Sequence, residues 1–193
     1  MTMGESEVLD ALRGAGAILH GHFRLTSGRH SGTYVQCARV LEDPALTTRL
    51  AEAMARRVAD RRIDLVAAPA VGGIVIGFAV AQALGVRFIF SERQQGSMTL
   101  RRGFAVQPGQ RVLVVEDVVT TGGSVAEVIG LVRACGGETV AVTAVIDRGG
   151  AKLFDAEFLP LLRLEVESLE PRECTQCALG TPIDSPGSRR LSD

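Results

Sequence analysis

Apolar and polar positions follow different rhythms along this chain, and the change of rhythm divides it. Residues 5–17 place Val8, Leu12 and Ala15 at helical spacing, which predicts a short amphipathic helix. Residues 23–26 and 33–37 read as two short strands around the polar turn Ser27-Gly28-Arg29-His30-Ser31-Gly32. At Pro44 the pattern becomes helical. Asp43 suits an N-cap and Pro44 a first turn, and Leu46, Leu50, Ala53, Met54, Arg57 and Val58 carry the helix towards residue 61. Strands and helices then alternate: a strand over 65–68, a turn over 69–73, an apolar helix over 74–84 and a strand over 86–90. A strand over 111–116, a turn over 117–123, a helix over 124–135 and a strand over 138–147 follow, with one more strand at 159–164. Residues 91–103 are polar and basic without periodicity and are predicted to form a loop. The segment after Glu170 is rich in Pro, Gly and Ser and reads as a loosely ordered tail.

Continuous apolar strands alternating with helices predict an α/β fold, a mainly parallel sheet flanked by helices on both faces. The opening segment breaks that rhythm and predicts a small N-terminal hood. A single domain over 1–193 is expected, with the hood at about 1–40 plus the C-terminal tail and the core at about 41–165. Right-handed crossovers place every strand-to-helix turn on one sheet edge, where ligands of such folds bind.

Composition narrows the function. With 4% aromatic residues, no Trp and a formal net charge of −1, the chain is a poor match for a nucleic-acid or membrane-surface binder. Residues 1–10 lack a basic flank and an apolar run, so no signal peptide is expected, nor is any apolar stretch long enough to span a bilayer. Cys37, Cys135, Cys174 and Cys177 are then expected to be reduced thiols in the cytoplasm. Lys152 is the single lysine, so nearly all positive charge is arginine.

The strongest chemical signal is V-L-V-V-E-D-V-V-T-T-G-G-S over 112–124. A buried strand delivers Glu116 and Asp117 together at its carboxyl end. The turn Thr120-Thr121-Gly122-Gly123-Ser124 follows and opens a helix. Backbone N–H groups, hydroxyls and a helix N-terminus make such a turn a phosphate cradle, and glycine lets the backbone approach closely. No lysine follows the glycines, so it is not a Walker loop. Carboxylates beside a phosphate site suit ribose hydroxyls or a hydrated Mg²⁺. The plainer alternative is a tight turn with the acids capping the helix.

These residues resemble the phosphoribosyl diphosphate motif of the type I phosphoribosyltransferases, and the chain from about 17 to 163 resembles bacterial members acting on orotate. F-R-L-T-S-G-R-H-S (23–31), A-P-A-V-G-G (68–73), F-S-E-R (90–93) and I-D-R (146–148) carry the wider likeness. The resemblance implies a Mg²⁺-dependent transfer of a phosphoribosyl group from phosphoribosyl diphosphate to orotate, in the making of UMP. It implies that Glu116, Asp117, Val118, Val119, Thr120, Thr121, Gly122, Gly123 and Ser124 bind the sugar phosphate, with Gly72 and Gly73 at the diphosphate. It further implies that Thr120 and Arg148 bind orotate, and that Glu116, Asp117 and Arg93 are catalytic. An arginine fork matches orotate's carboxylate and carbonyls. A plain surface role beside Asp147 is the other reading of Arg148, as a plain tight turn is of 69–73. A homodimer is implied, the 92–103 loop closing over the neighbouring site with Gly96 and Gly103 as hinges, while Arg101 and Arg102 pair with surface acids.

The chain departs from the resembling enzymes where they carry lysines: Thr26, Gly72 and, roughly, Ser97 stand there. Arginines and backbone amides then do the electrostatic work, or the substrate differs. The alternatives are a purine-type phosphoribosyltransferase and a non-catalytic sensor of the sugar diphosphate. Cys174-x-x-Cys177 supplies two metal ligands where structural zinc needs four. Two copies meeting across a dimer would make a four-cysteine site; otherwise the pair binds nothing. His20, His22 and His30 are expected to be solvated or structural.

Overall fold

The computed structural model describes residues 3–25, 27–149 and 154–186. Thr26 and Lys152, singled out above, lie outside the described residues. Helix α1 (Glu5–Gly14) leads into a two-stranded antiparallel hood, β1 (Ile18–Arg24) and β2 (His30–Val35). These strands begin earlier than the pattern predicts. Ile18 already pairs with Val35, and a bulge after His20 disturbs the alternation that would have exposed β1. A short α2 (Ala38–Leu41) precedes α3 (Pro44–Arg57). The Asp43 carboxylate accepts from the N–H groups of Ala45 and Leu46 at 2.9 and 3.2 Å and fixes the α3 start.

The core follows as β3 (Leu65–Pro69), α4 (Gly72–Leu84), β4 (Arg87–Gln94), β5 (Ser97–Leu100), β6 (Arg111–Val119), α5 (Gly123–Ala134), β7 (Glu138–Asp147) and β8 (Leu162–Arg163). Their sheet has the order β5-β4-β3-β6-β7-β8, parallel except for the β4–β5 pair. Strand residues alternate between two cores. Val66, Leu113, Val115 and Val145 pack with α3 and α4, whereas Leu65, Ala67, Val112, Val114 and Val142 pack with α5. Both faces are therefore covered, as continuous apolar strands require.

The 91–103 segment is not a loop. β4 runs on to Gln94 and β5 returns antiparallel, with Gln94 opposite Ser97. Gln95 and Gly96 form the two-residue connection, both at positive φ (49° and 86°). An edge hairpin needs no apolar alternation, so its polar sequence conceals it.

The tail is also more ordered than its composition suggests. A single 3₁₀ turn (Pro171–Glu173) leads to α6 (Thr175–Ala178). Leu169 exchanges both backbone hydrogen bonds with His30, and Asp184 bonds to His22 and Arg24, so tail backbone extends the hood sheet on both sides.

Gly77 marks how tightly α4 sits on the sheet. A Cβ there would lie 2.6 Å from the Phe88 ring and 3.0 Å from Ala68 Cβ. Overpacking costs about 1–3 kcal/mol, against about 1 kcal/mol gained in helix propensity. Gly77→Ala is expected to lower the denaturant midpoint with an unchanged m-value.

Candidate active site

Three neighbouring parallel strands, β3, β6 and β7, end on the same sheet edge, and each hands one predicted segment to it. β6 delivers the acids. Glu116 is buried and Asp117 partly so. The Asp117 N–H donates to Glu116 Oε1 at 3.1 Å, and the Val118 N–H donates to Asp117 Oδ1 at 2.8 Å. Burial first, and the Asp117 charge second, push the Glu116 carboxyl well above its ordinary value.

The turn after Val119 then opens α5. Thr120 and Thr121 are exposed, and Gly122 takes φ +78° at the N-cap, a conformation suited to glycine. Among the described residues no carbonyl accepts from the N–H groups of Thr121 or Gly122. These amides lie at the positive end of the α5 dipole, which is the cradle geometry. Val118 and Val119 are strand residues rather than turn residues, since both still pair with β7. Gly123 and Ser124 form the first turn of α5.

The turn expected over 69–73 is shorter in the structure: Pro69 ends β3, and Gly72 and Gly73 already open α4, packed closely against the acids. A Cβ on Gly72 would lie 2.7 Å from Asp117 Oδ1, and one on Gly73 would lie 3.2 Å from Glu116 Oε1. The Ala70–Val71 peptide is cis. From β7 comes Arg148, whose N–H donates to the Val119 carbonyl at 2.8 Å and ties it to the end of β6. Its side chain is half-buried, and its buried Nε has no hydrogen-bond partner among the described residues. Burial lowers the Arg148 pKa from its ordinary value. Asp147 accepts from the Gly149 N–H at 2.7 Å and lies 3.8 Å from Arg163 Nε.

Arg93 stands apart from this group. It projects from the β4–β5 hairpin, donating to the Gly96 carbonyl and to Glu127 of α5, the latter at 2.7 Å. Arg102 pairs with Glu92 at 2.9 Å, as expected of a surface cation. Two residues that the sequence did not place at the site join it from the N-terminal segment. Tyr34 is within electrostatic reach of Arg148 and Asp117; burial raises its pKa, with Arg148 opposing and Asp117 reinforcing. Buried Cys37 is pushed well up by desolvation and then by both acids. Tyr34 is the only tyrosine in the chain, which is the one signal that could have marked it. A cavity of about 820 Å³ between α1, the hood and the tail includes no residue of the 116–124 segment; the donor set, not the size of a hollow, marks the candidate site.

The phosphoribosyl transferase domain family matches residues 37–159, which contain every cradle and turn residue named above. An orotate phosphoribosyltransferase of Heliobacterium modesticaldum is 52% identical over 190 residues, 97% of this chain and 100% of that one. Another, of Desulforamulus reducens, is 47% identical over 191 residues, 98% of this chain and 100% of that one. The chain belongs to the orotate phosphoribosyltransferase family. Among solved structures, the family's Aeropyrum pernix enzyme has a TM-score of 0.71 at 25% identity, covering 81% of this chain and 93% of that one. An adenine phosphoribosyltransferase of Rhodothermus marinus has a TM-score of 0.68 at 22% identity, over 82% of this chain and 99% of that one, a likeness of fold alone. The parallel sheet flanked by helices is thus the family's architecture.

Proposed function

We propose that the chain transfers the 5-phosphoribosyl group of phosphoribosyl diphosphate to orotate, giving orotidine 5′-monophosphate and diphosphate. The observation that carries this reading is one sheet edge holding the acid pair, the open amides of Thr121 and Gly122 and a half-buried arginine whose Nε is unmatched among the described residues. The amides and the hydroxyls of Thr120, Thr121 and Ser124 would bind the 5-phosphate. Glu116 and Asp117 would accept from ribose hydroxyls and face the positive charge that develops at the anomeric carbon. Orotate N1, its proton lost to solvent, then bonds to that carbon as the carbon's bond to the diphosphate oxygen breaks. Backbone around Gly72 and Gly73 would meet the departing diphosphate. Arg148, with Thr120 beside it, would orient orotate through its carboxylate and carbonyls, and holding the partners in line lowers the barrier.

The donor set fits Mg²⁺: two carboxylates are too few to hold the ion alone, which leaves other positions to substrate oxygens and water. Bound there, Mg²⁺ would neutralise charge on the leaving diphosphate. A homodimer is part of this reading. Val71, Val75 and Phe78 are exposed at helical spacing along the start of α4, an apolar stripe suited to a second copy. The β4–β5 hairpin would then swing Arg93 from Glu127 to the diphosphate of the neighbouring site.

Orotate consumption, followed by ultraviolet absorbance with phosphoribosyl diphosphate and Mg²⁺, tests the reading against adenine, guanine and xanthine. Turnover is expected with orotate alone and only with the metal. Turnover on a purine would move the chain to the other branch, and sugar-diphosphate binding without turnover on any base would make it a sensor. Arg148→Ala is expected to raise the KM for orotate by about 10- to 100-fold, the worth of charged hydrogen bonds. Arg148→Lys should leave most of that defect, because an ammonium cannot reproduce the planar fork. Equal KM values in wild type and Arg148→Ala would remove orotate from this arginine.

A further inference from the structure

The four-residue cluster His22, His30, Cys174 and Cys177 lies outside the active site and is used by none of its chemistry. One ligand atom from each residue lies within 4.8 Å of all the others. We infer that this cluster is a structural zinc site that fastens the C-terminal tail to the hood within a single chain.

The distances are those of a tetrahedral shell. His22 Nε2 is 3.3 Å from His30 Nδ1, 3.4 Å from Cys174 Sγ and 3.6 Å from Cys177 Sγ, and His30 Nδ1 is 3.2 Å from Cys177 Sγ. Tetrahedral zinc with ordinary Zn–N and Zn–S bonds separates its ligands by about 3.3 Å for N···N and about 3.6 Å for S···N. Hydrogen bonding alone does not account for the arrangement. His22 Nδ1 lies 2.8 Å from the Thr181 carbonyl, which can only accept, so Nδ1 carries the proton. Nε2 is then left with one in-plane lone pair, yet three atoms converge on it. A cation at the centre satisfies all of them at once. The Thr181 contact is also the outer-shell bond that a metal-bound histidine makes through its other nitrogen.

Local structure builds the site from distant sequence. The bulge in β1 shifts the hood register so that His30 pairs with Arg24 rather than Phe23. His22, two residues from Arg24, therefore shares a face with His30; without the bulge they would point to opposite faces. Leu169 pairs with His30, and the turn after it carries Cys174 and Cys177 onto the histidines. His22, His30 and Cys174 are buried, in a setting that penalises net charge. Binding Zn²⁺ releases one proton from each thiol and leaves two thiolates, two neutral imidazoles and no net charge on the centre. The ligands expected from a second copy's cysteines are thus supplied by this chain's own histidines.

Metal content of the purified full chain, prepared without an affinity tag and passed over chelating resin, tests the inference. About one zinc per chain is expected. The Cys174→Ser/Cys177→Ser chain should hold less than about a tenth of that, whereas Cys135→Ser and Asp117→Asn should keep it in full. The Asp117→Asn arm separates this site from the active site, since its activity and its zinc should part. Should the double variant fail to fold, wild type reconstituted with Co²⁺ gives the second readout: intense visible bands of a tetrahedral ion and near-ultraviolet thiolate charge transfer. A folded wild type with no bound metal, zinc retained by the double variant, or cobalt spectra without thiolate bands would each overturn the site.

Discussion

Asp117→Asn is expected to lower kcat/KM for orotate by about 10²- to 10³-fold, the scale of losing one preorganised electrostatic group. Its carboxylate is the partly exposed member of the pair, and it lies against both the cradle strand and Gly72. Glu116→Gln is expected to cost activity on the same scale while melting higher than wild type at neutral pH. Burial raises the Glu116 pKa well above the ordinary 4.5. The folded chain without ligand therefore holds a proton there that the unfolded chain has released once the pH exceeds 4.5. Stability from this group is present below that pH and is lost as pH rises through the window up to the raised folded value. An amide carries no such cost and can still accept from the Asp117 N–H. The melting difference should be about 2–4 °C for each kcal/mol removed in a chain of this size, and it should close as the pH falls below 4.5. Steady-state kinetics beside melting curves over pH read both effects. A Glu116→Gln chain that turns over like wild type would take the acid pair out of the mechanism.

Gly72→Ala carries the second large effect. The new Cβ would lie 2.7–2.9 Å from the Asp117 carboxyl atoms, so something must move. The carboxylate is the mobile party, being the far end of a partly exposed side chain, and the fold should accommodate the change with little loss in melting temperature. The catalytic geometry should not, because a displacement near 1 Å can cost about 100-fold in rate. A fall in kcat/KM of about 10- to 100-fold is expected, without additivity in the Gly72→Ala/Asp117→Asn chain, since both changes remove the same carboxylate from place. Additive losses would show that the 69–73 turn contributes independently of Asp117.

The hairpin formed by β4 and β5 shows where sequence reading stops. Its residues Glu92, Arg93, Gln94, Ser97 and Thr99 are polar because an edge strand need not bury both faces, and nothing in their order separates them from a loop. Arg93 looks free on the page of the sequence, yet in the fold it is ion-paired with Glu127, thirty-four positions away. By contrast, β7 is legible to the residue at both ends, since the ten positions that follow a Gly-Gly turn and end on Asp147 read as one strand. Asp43 and Pro44 announced the start of α3 for an equally local reason, the chemistry of the first helical turn.

The sequence by itself determined the α/β class, the mainly parallel sheet and the acid pair and glycine turn between β6 and α5. Each of these depends on residues close together in the chain: an apolar run, two acids at its end, small residues, then a helix. The tertiary structure alone decided three things that depend on distant backbones meeting. It set Gly72 against Asp117, brought Tyr34 and Cys37 from the hood to the acids, and joined His22 and His30 to Cys174 and Cys177. Strand order, a single bulge and the pairing of the tail with β2 made those meetings, and such long-range registers leave no periodic trace in a single chain.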